Sequence, residues 1–151
     1  MAISPVIREL LPTSPEALDR IYKEQDRLLP SMDVPVQTDH VLHGGMYSRT
    51  VTLAPGVELV GALIRKATLV ITVGEANVLV NDDWKKIQGY NVFPASAGRK
   101  QIFIAKSALI ITMIFPTAAK SVEEAEDEFT VESELLLSRR QDSNSVKITG
   151  E

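Results

Sequence analysis

The stretch "GYNVFPASAGRKQIFIAKSALIITMIFPT", Gly89 to Thr117, decides how this chain is read. Short runs of Val, Ile, Leu and Phe are broken by the turn-forming "ASAG" at 95–98. The last run, "ALIITMIF", is apolar on both faces. Leu109, Ile111, Met113 and Phe115 share one face, and Ile110 and Ile114 share the other with only Thr112. A strand that faces one core leaves its second face to be covered by something else. "TLVITV" has the same character. The cover is either the chain's own helices or a neighbouring subunit.

Working outward, the same punctuation extends back to Val36, with "HGG" at 43–45, "APG" at 54–56 and "NDD" at 81–83. Short strands at this spacing, without intervening helices, predict an antiparallel sandwich or barrel over 36–117. Ahead of it, "TSPEALDRIYKEQDRLLP" predicts a helix within an N-terminal arm, 1–35. Thr13 or Ser14 can cap it, Pro15 suits the first helical position, and Pro30 stops it. Leu18, Ile21, Tyr22, Gln25, Leu28 and Leu29 fall on one face, expected to pack on the chain's own strands or on another subunit. After the strands, "SVEEAEDEFTVESELLLSRR" predicts a C-terminal helix within 118–140, opened by a Ser121–Glu124 capping box and closed by Arg139 and Arg140. Its acid run, Glu123 to Glu128, reads as a solvated face. Residues 141–151 are polar and read as a flexible tail.

A chain of 151 residues is one domain by length and long enough to bury a core. A net charge of −4 argues against nucleic acid and anionic membrane as partners. The absence of cysteine excludes disulfides, thiolate catalysis and Cys-ligated metal. No apolar run is long enough for a membrane span, and "MAISPVIREL" lacks the pattern of a signal peptide. A cytoplasmic location is the expectation.

The segments "TLAPGVELVGALI", "LVITVGEANVLVNDDWKKIQGYNVFPASAGRKQIFIA" and "ALIITMIFPT" resemble the cupin superfamily over about Gly45 to Thr117. Val73-Gly74-Glu75-Ala76-Asn77-Val78 is similar to the family's "V-x-G-E-A-x-V" segment with one position contracted, and Pro94 to Gln101 stands where "P-A-G" and a histidine are expected. The texture is also similar to small cupin-like proteins of tailed phages and prophages. The resemblance implies a mainly-β fold, a single cupin-type antiparallel β-barrel (jelly roll) with an N-terminal and a C-terminal helix. It also implies a homo-oligomer, because cupins commonly associate through sheet faces, and a virion-associated location if the gene is phage-borne.

The family's metal ligands do not follow. "GALIRKATL" has neither histidine nor acid, and Gln101 replaces the second-motif histidine. Cupin metals need imidazole and carboxylate donors on one point; Arg65 and Lys66 would repel a divalent cation. No metal and no cofactor is therefore expected. The alternative set is Asp39, His40 and His43, but His40 and His43, three apart, point to opposite faces of a regular strand. No catalytic residue is assigned, since a serine nucleophile would need a histidine base beside it.

What remains is a candidate ligand-binding group. Arg49 and Tyr47 share alternation with Val51 and Leu53 and so should point inward, while Gln101 alternates with Phe103 and Ala105 and should line the same cavity. A buried arginine needs a partner: Glu58 or Glu75 internally, or the carboxylate or phosphate of a small anionic ligand. Three functions are open. The first is a non-catalytic interaction or structural protein with a protein partner in an assembly. The second is a cupin that binds a small molecule or sugar through Arg49, Tyr47 and Gln101. The third is an enzyme with an unusual site.

Overall fold

The computed structural model describes residues 7–31 and 34–151; positions 1–6 and 32–33 of the expected arm, with most of the "MAISPVIREL" opening, lie outside them. Helix α1 spans Pro15–Leu28 and is followed by a 3-10 turn, Leu29–Ser31. Ser14 caps it, accepting from the Ala17 amide at 3.2 Å. The Thr13 hydroxyl is engaged elsewhere: it donates to the Lys100 carbonyl and accepts from the Lys100 amide.

Among the described residues ten strands follow: β1 (Gln37–His43), β2 (Met46–Leu53), β3 (Glu58–Val60), β4 (Thr68–Val73), β5 (Ala76–Val80), β6 (Asp83–Ile87), β7 (Tyr90–Ala95), β8 (Ile102–Ala105), β9 (Leu109–Pro116) and β10 (Asn144–Ile148). They form a six-stranded sheet, β10-β1-β2-β9-β4-β7, and a four-stranded sheet, β3-β8-β5-β6. Inward side chains of both, among them Leu53, Val70, Val78, Phe93, Phe103 and Ile111, make one apolar core. The fold is mainly β, as expected, but the barrel is not closed, because among the described residues no ladder joins the two sheets. Between β3 and β4 the chain runs irregularly, tied by an isolated bridge, Ile64 to Arg99, and by the Gly61 and Arg65 amides, which donate to the Gln101 and Phe129 carbonyls. The β4–β5 turn depends on Gly74: its φ is +125°, and a Cβ there would sit 2.3 Å from the Ala108 carbonyl oxygen.

The C-terminal part differs from its expectation. Instead of one helix over 118–140 there are α2 (Val122–Phe129), a 3-10 turn (Ser133–Leu135) and α3 (Leu137–Arg140). Thr130 is extended and ends α2, and Glu132 is then held by the Leu63 amide and the Lys100 ammonium. The tail expected to be flexible, 141–151, contains β10, which pairs in parallel with β1. An edge strand needs no apolar face, because its ladder is made by the backbone. A side-chain anchor also holds it: Asn144 Oδ1 lies 2.8 Å from His40 Nε2.

α1 lies against the four-stranded sheet, where the Lys100 ammonium stacks 4.5 Å from the Tyr22 ring centroid. α2 packs Ala125 and Phe129 against Leu42, Tyr47, Met113 and Phe115 of the six-stranded sheet. The outer side of β4, β7 and β9 stays exposed, and Val73 faces Tyr90 on one side and Ile110 on the other.

Candidate functional site

A cavity of about 150 Å³ lies in the interior, walled by Val51, Val70, Phe103, Ile111 and Met113 from the two sheets and by Phe129 from α2. Arg49, Arg99, Gln101 and Glu132 also line it, and the exposed Leu135 and Arg140 stand on its solvent side. Three guanidinium groups thus face one carboxylate.

Arg49 is buried, as its alternation with Leu53 requires. Its partner is neither Glu58, which lies 3.8 Å from Arg27, nor Glu75, which pairs with Lys86. It is Glu126, with Arg49 Nη1 2.9 Å from Glu126 Oε2. The acid run is therefore not uniformly solvated. Glu126 is 1% exposed because Val122, Glu126 and Phe129 fall on the inward stripe of α2. Arg139 Nε at 2.9 Å and the Ser138 hydroxyl also donate to it. Burial pushes the Glu126 carboxyl up, but these donors and the Arg49 charge outweigh it and hold the group below the ordinary carboxylate range.

Tyr47, expected in the same binding group, stands behind the cavity. Its ring lies among Phe115, Phe129 and His40, and its hydroxyl is 2.7 Å from His40 Nδ1. Burial pushes its pKa up to about 12. His40 is likewise inward and 2% exposed, with its pKa lowered first by burial. His43 points outward to the Thr149 hydroxyl at 2.7 Å, and Asp39 accepts from Gln37. The alternative metal set Asp39, His40 and His43 is therefore split across the two faces of β1.

Gln101 lines the cavity together with Arg49. It is 6% exposed, and its side-chain Nε2 is buried with no hydrogen-bond partner. The two residues before it, Arg99 and Lys100, are functional positions that the sequence reading misses. Lys100, fully buried, points the other way and donates to Glu132 Oε1 at 3.0 Å; Glu132 Oε2 accepts from the Tyr22 hydroxyl at 2.9 Å. Arg99 is 2% exposed and lines the cavity. It donates to the carbonyls of Lys66 and Ser96, to the Thr68 hydroxyl at 2.8 Å, and sits 3.5 Å from the Met113 sulfur. All of these partners are neutral, and among the described residues Arg99 makes no ion pair. Burial lowers its pKa from 12.5 to about 10, so it stays charged at neutral pH. Alternation gave the signal: Arg99 has the parity of Gln101, Phe103 and Ala105.

These residues do not fit the metal that a cupin resemblance implies. Two guanidiniums and a neutral amide occupy the inner wall, and the one carboxylate there, Glu132, is taken by Lys100, Tyr22 and the Leu63 amide. Among the described residues no three His, Asp or Glu side chains are grouped as a metal would require.

No protein-family profile matches the chain, and no curated protein does. Solved structures do. A cupin superfamily protein from Desulfitobacterium hafniense DCB-2 is similar at 16% identity and a TM-score of 0.48, covering 74% of this chain and 99% of that one. A Cupin 2 conserved barrel domain protein from Salinispora arenicola CNS-205 is similar at 11% identity and a TM-score of 0.45, covering 55% and 77%. The Schizosaccharomyces pombe Cnp3 cupin domain is similar at 18% identity and a TM-score of 0.45, covering 66% and 71%. These three solved structures are cupin-domain proteins, and the likeness extends no further than fold.

Proposed function

We propose that this chain is a non-catalytic, metal-independent binding protein of the cupin type, which holds a small molecule between its two sheets. The observation that carries the reading is the cavity of about 150 Å³ with Gln101 Nε2 buried and unpartnered on its wall. An unmade hydrogen bond in a dry interior costs about 1–3 kcal/mol, which a bound partner would recover. Catalysis has little to work with. General acid–base chemistry needs a titratable group free to exchange a proton with substrate, and Glu132, the cavity's one carboxylate, is tied to three donors.

The test is thermal unfolding of the metal-stripped protein against neutral and anionic compounds of up to about nine heavy atoms. The reading predicts a dose-dependent rise in Tm for at least one chemical class, with no metal added. If no compound shifts the midpoint, or if a shift appears only with a divalent metal, the reading is wrong.

A second reading, an oligomeric interaction or structural protein with a phage-borne gene, draws on a different observation. Leu69, Val73, Tyr90, Val92 and Ile110 lie on the outer side of β4, β7 and β9 and are all between 39% and 68% exposed. A patch of this kind is characteristic of an association surface. The two readings are compatible, since the cavity and the patch lie on opposite sides of the six-stranded sheet.

A further inference from the structure

Resting on the reading of the cavity as a ligand site, the geometry points to a specific ligand class. We propose that the site takes a small organic monoanion, a carboxylate with an apolar body of about six carbons, bound through Arg99 and Gln101.

The charge argument is local. Arg49 is neutralised by Glu126, and Lys100 by Glu132. Arg99 alone among the buried cations makes no ion pair among the described residues; the carbonyls, hydroxyl and thioether around it orient the guanidinium without cancelling its charge. Gln101 Nε2, on the same wall, is a second donor with nothing to donate to. A carboxylate accepts from Gln101 Nε2, replaces the weakly accepting Met113 sulfur on Arg99 Nη2 and brings one negative charge, whereas a dianionic phosphate would bring more than the buried cations balance and leave only the exposed Arg140 to meet it. The size argument comes from the walls. A cavity near 150 Å³ holds a single six-membered ring. Val51, Val70, Phe103, Ile111 and Met113 offer that ring no polar group other than a thioether.

Titration calorimetry at pH 7 with benzoate, its neutral isostere benzamide, and inorganic phosphate tests the class. Benzoate should bind at least tenfold more tightly than benzamide, and phosphate should not bind measurably. Arg99→Met should remove the preference for benzoate over benzamide. Because Arg99 also ties together the backbone at Lys66 and Ser96, that variant can fail to fold. Gln101→Leu keeps the fold and should weaken benzoate by three- to tenfold. In the wild-type protein, benzoate should also shift the Gln101 side-chain amide resonance, identified by its loss in Gln101→Leu. Equal binding of benzoate and benzamide overturns the anion assignment and leaves the ligand cavity standing. Phosphate as tight as benzoate overturns the apolar body. If neither aromatic compound binds nor moves the Gln101 resonance, this proposal fails, and the melts against other compound classes then decide the broader reading separately.

Discussion

Arg49 and Arg99 lie on the same cavity wall, and the difference between them is one carboxylate. Arg49 has Glu126; Arg99 has only neutral acceptors. For Arg49 the consequence is stability. Arg49→Ala leaves Glu126 buried with the Ser138 hydroxyl and the Arg139 guanidinium still donating to it, so we expect a loss of about 1–3 kcal/mol in denaturant unfolding. Glu126→Gln should lose a similar amount, and the double variant should lose much less than the two together. The pair also sets an acid limit. The unfolded chain takes up the Glu126 proton near pH 4.5, whereas the folded protein resists it to lower pH. The contribution is therefore complete above about pH 4.5 and is lost as pH falls through the folded value. For Arg99 the sign is opposite. Its depressed pKa of about 10 is a folding penalty of ~3 kcal/mol, present at neutral pH and relieved only as pH rises from about 10 towards 12.5. Strand parity makes the inward direction of Arg49, Gln101 and Arg99 legible in the sequence. Their partners are not legible, because Glu126 is 77 residues from Arg49 and belongs to an acid run that looks solvated until α2 is docked.

At the scale of elements, alternation and turn residues suffice for the strands from β1 to β9, and the capping serine suffices for α1. The last strand escapes such reading. β10 leaves its two apolar side chains, Val146 and Ile148, half exposed, and side chains of β1 help to recruit it: Gln37 donates to the Ser145 hydroxyl, and His40 bridges the Tyr47 hydroxyl and Asn144 Oδ1. Burial holds the His40 pKa below 6.5. The unfolded chain therefore binds a proton near pH 6.5 that the folded protein refuses. Stability is highest above that pH and falls as pH drops below it, until the folded imidazole also protonates. Asn144→Ala should remove the anchor, cost about 1 kcal/mol or somewhat more, and raise amide exchange across residues 144–148. Exchange unchanged at those amides would mean that the ladder alone secures the strand. The break in the expected C-terminal helix has a related cause. The β-branched Thr130 and Val131 weakly disfavour a helix, and Glu132 gains three donors by leaving the helical path.

On the scale of the whole molecule, the helices settle where the two-faced apolar strands find cover. α1 takes the four-stranded sheet and α2 fills one end of the core, so neither reaches the outer side of β4, β7 and β9. Leu69 and Val92 there are nearly half exposed. Burying one such side chain contributes about 1.5–3 kcal/mol, enough for several together to drive association. Light scattering at micromolar concentration should return a mass well above 16.6 kDa, and Val92→Lys should return it to the monomer without loss of fold. A monomeric wild-type protein would mean that this face stays open in solution. In the described residues no helix is long and apolar enough to cross a membrane, so this patch is not part of a spanning helix.

The central claim, that a small organic carboxylate binds between the sheets at Arg99 and Gln101, is tested most directly by a crystal structure of the protein soaked in benzoate. The account predicts density for one molecule per chain in the cavity lined by Val70, Phe103 and Met113, with its carboxylate within hydrogen-bond distance of Arg99 and Gln101. A soaked crystal in which the cavity holds only water, or in which side chains have closed it, would contradict the account.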